Sequence, residues 1–359
     1  MRRCKNRGRA RGRFKTVERS FDPRTLLTWR NGVAFGLLGL AVVVAATGPG
    51  FLGRDVDRAL AGFGRANPLW LWTAAFCFVG SLVSTALAWR NALRLAGGRL
   101  APADAAARYG IGSLVNGFSP VRIGEAVRLA LFARALGGRD RAWRMGSVFG
   151  VLTAIRALVF AVVVVIGVSV GALPLWPVLV LVAIACAAAL VAVFARRHVA
   201  RRWHIAHLLD AFREIGRDPW QGARVAAWIV AATAIRLGAA ASIAASIGIT
   251  SPIAAAVIIV ATLDLAGLIP LSGNVGITSG AVVVALAAHD VGWAMGVSTG
   301  LAFHAIETLA GISFGSASAL MLAPISAPRI RQRILRYAGA AATVCIAGGF
   351  CTTLVLQLA

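Results

Sequence analysis

Residues 103–138 read ADAAARYGIGSLVNGFSPVRIGEAVRLALFARALGG, two apolar stretches separated by Asn116-Gly117-Phe118-Ser119-Pro120. Each stretch runs to roughly fifteen residues, about 22 Å as a helix, short of the ~30 Å of hydrocarbon that a spanning helix must cross. The break between them is made of residues that stop a helix or accept unusual backbone angles. Both flanks are basic, with Arg90, Arg94 and Arg99 before the segment and Arg139, Arg141 and Arg144 after it. Cytoplasmic loops collect Arg and Lys, so the segment must enter from the cytoplasm and return there. The reading is a re-entrant helical hairpin whose break is marked by Pro120 and Gly124. A pair of full-length transmembrane helices keeps the same parity and is the alternative.

The rest of the chain supplies the membrane around this hairpin. Of 359 residues, 59% are hydrophobic and 14% charged, and the mean hydropathy is +0.79. An average soluble chain is about 45–50% apolar and 25% charged, so a soluble globular domain is excluded. Cys77, Cys186, Cys345 and Cys351 lie inside apolar stretches and read as small membrane-core residues. Apolar runs near 31–49, 69–89, 145–170, 177–195, 225–246, 293–322 and 337–357 predict about seven crossings. Trp29, Trp70, Trp72, Trp89, Trp143, Trp176, Trp228 and Trp293 fall near their ends, as expected of aromatic rings at the headgroup level.

Basic charge then sorts the loops. The arm 1–30 holds eleven Arg or Lys, the loop 196–224 seven Arg and the loop 329–336 four. Loops 171–176 and 247–252 carry no charge, and 289–292 carries only Asp290. This pattern predicts a multi-pass protein of the cytoplasmic membrane with its N-terminus inside and its C-terminus outside. The net charge of +24 therefore serves orientation and attraction to anionic headgroups rather than nucleic acid. The arm is expected to be a disordered cytoplasmic segment, and 31–47 a retained anchor rather than a cleaved signal.

The same sorting isolates a second segment, 253–289, broken at Pro270-Leu271-Ser272-Gly273-Asn274 and followed by Gly276. Its flanks lie outside, so it opens from the opposite face. Pro120 and Pro270 are 150 residues apart, Gly124 and Gly276 are 152 apart, and the Ala154-Ile155 and Ala305-Ile306 pairs are 151 apart. The fold predicted is all-α and polytopic: about seven transmembrane helices plus two re-entrant hairpins in an inverted repeat, with half-repeats near 31–170 and 177–322. A membrane domain thus covers 31–325, and 326–359 adds a basic loop and a last transmembrane helix. Inverted repeats with broken helices at mid-membrane are a common way to build a site reached from alternate sides.

Charges inside apolar spans mark where such a site would be, because they are costly in lipid and usually face the bundle interior or a wet cavity. Arg156, Arg236 and Glu307 lie near the centres of three spans, and His304 precedes Glu307 by three residues on the same helical face. Asp264 lies in the first arm of the second hairpin, and Arg122, Glu125 and Arg128 follow the first break. Two accounts fit. In one, Arg156 or Arg236 neutralises Glu307 or Asp264, and Glu125 pairs locally with Arg128. In the other, guanidinium forks and the helix N-termini after the breaks hold an anion such as a lipid phosphate. No metal-ligand spacing, nucleotide loop or partnered nucleophile is found, so neither metal nor cofactor is expected.

The runs Trp89-Arg90-Asn91-Ala92-Leu93-Arg94, Tyr109-Gly110-Ile111-Gly112 through Asn116, and Ser119-Pro120-Val121-Arg122-Ile123-Gly124-Glu125-Ala126-Val127-Arg128 resemble the transmembrane region of lysylphosphatidylglycerol synthases and their stand-alone flippase-like relatives. The stretch Ile269-Pro270-Leu271-Ser272-Gly273-Asn274-Val275-Gly276-Ile277 is similar to that family's second motif. The resemblance covers most of 30–325. It implies an all-helical membrane domain that moves or holds an amphiphile with an anionic group, commonly an aminoacylated phospholipid. It also implies roles for Asn116, Pro120, Arg122, Gly124, Glu125 and Arg128 through the first motif, and for Arg156 in the following span. The second motif departs from the pattern. Ser272-Gly273-Asn274-Val275 stands where relatives have Ser-Pro-Gly-Gly, Ser279 stands at the expected acid, and His304 or Glu307 at an expected arginine. The soluble aminoacyl-transferase domain of the synthases has no counterpart in this sequence, and synthetic activity is not expected.

The function expected is therefore a lipid flippase or carrier, not an enzyme. Asn116, Arg122, Arg128, Arg156 and Arg236 would receive an anionic headgroup, whether aminoacylated or polyprenyl-linked. Glu125, Asp264 and Glu307 would balance the charge or engage a headgroup amine; His304 belongs to the same set of candidate binding residues, although a lone histidine inside a bundle is more often a satisfied interior residue than a proton relay. Membrane lipids are the expected partners, with a separate lipid-modifying enzyme as a further one and no nucleic acid. The alternative is an integral-membrane enzyme acting on a lipid-linked substrate, with Glu125 or Glu307 as general base.

Overall fold

The computed structural model describes residues 66–118, 123–137, 140–175, 177–186, 190, 218–266 and 275–322, all within one compact unit, 55–359. Regular structure among the described residues is helical throughout. The elements are α1 (Pro68–Leu95), α2 (Pro102–Phe118), α3 (Ile123–Ala133), α4 (Arg141–Ser169), α5 (Pro177–Cys186), α6 (Pro219–Ile247), α7 (Pro252–Ala266), α8 (Val275–Ala287) and α9 (Trp293–Leu322). The expected crossings at 31–49 and 337–357, the arm 1–30 and the loop 329–336 lie outside the described residues.

Four of the described helices, α1, α4, α6 and α9, are long and apolar enough to cross a membrane. Local chemistry starts and stops them. Asn67 accepts a hydrogen bond from the Leu69 N–H at 3.0 Å, and Asp218 accepts one from the Gln221 N–H at 3.2 Å; each stands before a proline that opens its helix. An acceptor before a proline at the first helical position is a standard helix start, since both satisfy or remove free N–H groups. α6 ends at Gly248, whose φ of 89° is the left-handed C-cap that glycine adopts without penalty. Trp70, Trp143, Trp220 and Trp293 are exposed near the starts of the four long helices, in keeping with interfacial positions. Trp89 departs from that expectation. It is 1% exposed and packs against Phe132 and Phe149, with ring centroids 5.1 and 6.2 Å away, because α3 and α4 cover the end of α1.

The remaining helices come in pairs of short arms. α2 and α3 have 17 and 11 residues, α7 and α8 have 15 and 13. The breaks between them, with Pro120, Arg122, Pro270 and Gly273, lie outside the described residues, and Gly276 falls in the first turn of α8. Element spacing repeats along the chain: α6, α7, α8 and α9 begin 151, 150, 152 and 152 residues after α1, α2, α3 and α4.

Packing between these halves is reciprocal. α1 and α6 lie side by side and antiparallel: the Asn67 N–H donates to the Ser246 carbonyl at 3.1 Å, and the Ser81 hydroxyl donates to the Ala232 carbonyl at 2.9 Å. α2 of the first half packs against α9 of the second so closely that a Cβ on Gly110 would strike Ser318, and one on Gly315 would strike Leu114. α7 of the second half packs against α4 of the first, where a Cβ on Gly167 would meet Val257 at 2.8 Å. Small residues at these crossings let backbones approach, the usual way helices associate in lipid.

Candidate functional site

The first cluster of functional candidates holds the α2–α3 hairpin together. The Asn116 side chain, in the last turn of α2, accepts a hydrogen bond from the Gly124 N–H at 2.7 Å and so caps the start of α3 from across the break. Gly124 has no space for a side chain, since a Cβ there would collide with the Gly112 carbonyl and the Asn116 amide. One turn on, Arg128 is buried. Its guanidinium donates to Glu125 Oε1 at 2.6 Å, to Ser113 Oγ at 2.9 Å and to the Tyr109 carbonyl at 3.3 Å, and lies 4.0 Å above the Tyr109 ring. A fork with that many partners is an internal staple. The local Glu125–Arg128 pair that the sequence offered as one of two accounts is present.

The second cluster is assembled from three helices distant in sequence. Arg236 of α6 donates from Nη1 to Asp264 Oδ1 of α7 at 2.8 Å and from Nη2 to Glu307 Oε1 of α9 at 3.0 Å. Its guanidinium lies 5.9 Å from the Phe303 ring centre. Sequence reasoning named these residues as partners without deciding which arginine served which carboxylate; the structure gives both acids to Arg236. The three side chains remain 26%, 35% and 37% exposed respectively, so the cluster is reachable rather than sealed in the core.

Arg156 is exposed near the middle of α4 and makes no ion pair among the described residues. It follows Ala154-Ile155 as Glu307 follows Ala305-Ile306. Equivalent positions of the two halves thus carry opposite charge. His304 is half-buried and its Nε2 lies 3.3 Å from the Thr308 hydroxyl on its own helix, so its bond runs along α9 rather than into the triad.

Two apolar clusters lie along α1 and α6. The one that surrounds the triad contains Leu71–Phe78 positions of α1, Ala239–Ala244 positions of α6, Val260 and Ala261 of α7 and Phe303 and Ile306 of α9, and the other contains Ala86–Leu93 positions of α1 with Val225 and Ile229 of α6. The stretch between them holds Gly80, Ser81, Ser84 and Thr85 on α1 and Thr233 and Arg236 on α6. Thr85 donates to the Ser81 carbonyl at 2.8 Å and Thr233 to the Ile229 carbonyl at 3.0 Å. These hydroxyls lie about one to two turns along α1 and α6 from Arg236, which the antiparallel register of Asn67 with Ser246 and Ser81 with Ala232 sets beside Cys77. Sequence reasoning missed these hydroxyls, as it missed Tyr109 and Ser113 as holders of Arg128. The spacing of Gly80, Ser81, Ser84 and Thr85, on one helical face inside an apolar run, was the available signal.

Among known proteins, a family model described as the lysylphosphatidylglycerol synthase TM region matches residues 33–315. No curated protein and no solved structure matches the chain.

Proposed function

Because the chain belongs to the lysylphosphatidylglycerol synthase TM region family, we propose that it carries a lipid with an anionic headgroup across the cytoplasmic membrane. The observation that carries this reading is the partly exposed Arg236–Asp264–Glu307 triad set among apolar helices. Charges at that depth are expensive unless they face the bundle interior or a wet passage. A carrier needs such a passage for the headgroup while the acyl chains stay in lipid. Arg156 is the group available to a phosphate, since it makes no ion pair among the described residues. The acidic excess of the triad suits a headgroup amine on the other side.

In this reading the two broken segments are re-entrant, and the halves form an inverted repeat with the N-terminus in the cytoplasm. The recurring element spacing, the antiparallel α1 and α6 and the exchanged contacts of α2 with α9 and α7 with α4 support it. At ~1.5 Å per residue the arms reach about 17–26 Å, below the hydrocarbon thickness of ~30 Å. The protein performs no covalent chemistry in this proposal. Both carboxylates that would serve an enzyme as general base, Glu125 and Glu307, are engaged in ion pairs with guanidinium groups.

The test is reconstitution. In liposomes, fluorescent phosphatidylglycerol should move between leaflets with the wild-type protein. Arg156→Ala should slow that movement by about ten- to a hundredfold, corresponding to the loss of hydrogen bonds to a charged group worth ~1.5–3 kcal/mol. Arg156→Ala moving lipid at the wild-type rate would remove the phosphate from that arginine, and conversion of the lipid into a new product would replace the carrier by the enzyme.

A further inference from the structure

The run Trp89-Arg90-Asn91-Ala92-Leu93-Arg94 takes no part in the triad. It closes α1 at one end of the bundle, and contacts show what shares that end. Arg144 of α4 donates to the Ala96 carbonyl, a Cβ on Gly98 would strike Leu93 and Leu136, and Val225 and Ile229 of α6 lie in one apolar cluster with Trp89 and Leu93. Basic charge gathers there, in Arg90, Arg94, Arg99, Arg134, Arg141 and Arg144. The opposite end, with the start of α1 and the ends of α4 and α6, has neither Arg nor Lys in 66–73, 165–175 or 244–255. Three acids stand at the basic end: Asp104 in the first turn of α2, Asp140 before α4 and Asp218 before α6. None of them makes an ion pair among the described residues.

Arg90 and Arg94 are one turn apart on one face of α1, and both are partly buried. Neither makes an ion pair among the described residues. Arg90 is held by its Nε, which donates to the Leu100 carbonyl at 2.9 Å, so that its two terminal nitrogens have no partner among the described residues. Arg94 Nη1 lies 3.5 Å from Asn91 Oδ1, and the buried Asn91 is fixed by its own bond to the Leu87 carbonyl at 2.8 Å. The turn behind them is closed as well. The Ala96 and Gly98 N–H groups return to the Leu93 carbonyl, and the Gly97 N–H, at a φ of 76°, returns to that of Arg94. Backbone thus positions two guanidinium groups that no acid neutralises.

Like charges one turn apart on a helix repel, and an anion between them removes the repulsion. Guanidinium forks match phosphate oxygens. We propose that Arg90 and Arg94 form a clamp for the phosphate of an anionic lipid at the basic end of the bundle. Exposed Trp143 and Trp220, at the starts of α4 and α6, put that end at headgroup level, where the phosphate to hand belongs to lipid. The clamp is distinct from the triad: Arg236 lies beside Cys77, and the helix from Cys77 to Arg90 is about 20 Å long. It is occupied whether or not the lipid crosses, so it stands independently of the carrier reading.

Native mass spectrometry of the purified full chain tests the clamp, with phosphatidylglycerol as the probe in micelles otherwise holding phosphatidylcholine. Arg90→Gln with Arg94→Gln should weaken retention of one phosphatidylglycerol by about ten- to a hundredfold. Arg134→Gln with Arg141→Gln removes the same charge from exposed positions at the same end and should change it by less than about twofold at about 0.15 M salt. Arg90→Lys with Arg94→Lys keeps the charge without the forks and should still lose severalfold. Arg94→Gln alone leaves the Arg90–Leu100 bond intact and should show most of the loss, with an unchanged thermal midpoint in lipid-free detergent. Equal losses in the two Gln pairs, or none in the Lys pair, would make the attraction diffuse and overturn the clamp. Inorganic phosphate displacing the lipid at equal concentration would overturn lipid as its ligand. Because lipid movement is not read, neither result bears on the carrier.

Discussion

Asn116 and Arg128 do work that their sequence neighbourhood disguises. Both stand in a motif whose resemblance implies contact with substrate, yet Asn116 caps α3 through the Gly124 N–H, and Arg128 is divided among Glu125, Ser113 and Tyr109. A polar residue beside a hairpin break reads the same from sequence whether it holds a ligand or the chain itself. The two roles separate by substitution. Asn116→Ala removes the cap acceptor and should lower stability by about 1 kcal/mol, seen as a lower thermal midpoint of the purified protein. Asn116→Asp keeps the acceptor and should retain most of it. Equal losses in both variants would show that the cap bond is not what matters. Arg236 is the opposite case. Its position alone indicated an unusual charge, but one arginine serving acids 28 and 71 residues away could not be read along the chain.

At the level of elements, the apolar runs located the long helices but not all their ends: 69–89 is part of Pro68–Leu95 and 225–246 part of Pro219–Ile247, because capping at Asn67-Pro68 and Asp218-Pro219 and helical continuation past the apolar run are not carried by hydrophobicity. α9 spans the same residues, 293–322, that apolar composition indicates. The inside of the two hairpins was less legible. Apolar composition gives the expectation that 103–138 and 253–289 enter the membrane, but carries nothing on how deep each arm reaches. Labelling decides between a dip and a crossing. In a cysteine-free background, Ile123→Cys at the start of α3 should resist a membrane-impermeant maleimide added outside, and Ala266→Cys at the end of α7 should resist one added from the cytoplasmic side. Rapid labelling of both would mean that the hairpins cross fully.

For the whole molecule, the charged triad sets function against stability. Ion pairs removed from water return little net stability, whereas breaking one by deleting a partner leaves an uncompensated charge. Arg236→Met alone, which leaves Asp264 and Glu307 without their cation, should destabilise the protein, by less than the ~3–5 kcal/mol of a fully buried pair because the triad is partly exposed. The triple variant Arg236→Met, Asp264→Leu, Glu307→Leu should be as stable as the wild type or more so, and should move no lipid. Thermal unfolding in one detergent and lipid movement in liposomes check the pair of expectations. A triple variant as unstable as the single one would make the triad a structural element rather than a functional one.

The break expected from Asn116 onward starts later, because α2 runs through Asn116 and Gly117 to Phe118, but composition and hydrophobic length were enough to indicate a helical membrane protein and to nominate Arg156, Arg236, Asp264 and Glu307. Those properties are local or additive: hydrophobic length, turn chemistry and the cost of a charge in lipid are carried by each segment by itself. Tertiary structure alone decided that Arg236 holds both acids while Arg156 makes no ion pair among the described residues, that Arg128 is a staple, that Trp89 is buried, and that α2 lies on α9. Each of these depends on which helices become neighbours. In lipid that choice rests on close approach of small residues such as Gly110, Gly167 and Gly315, a matter of shape between distant segments that no single stretch of sequence contains.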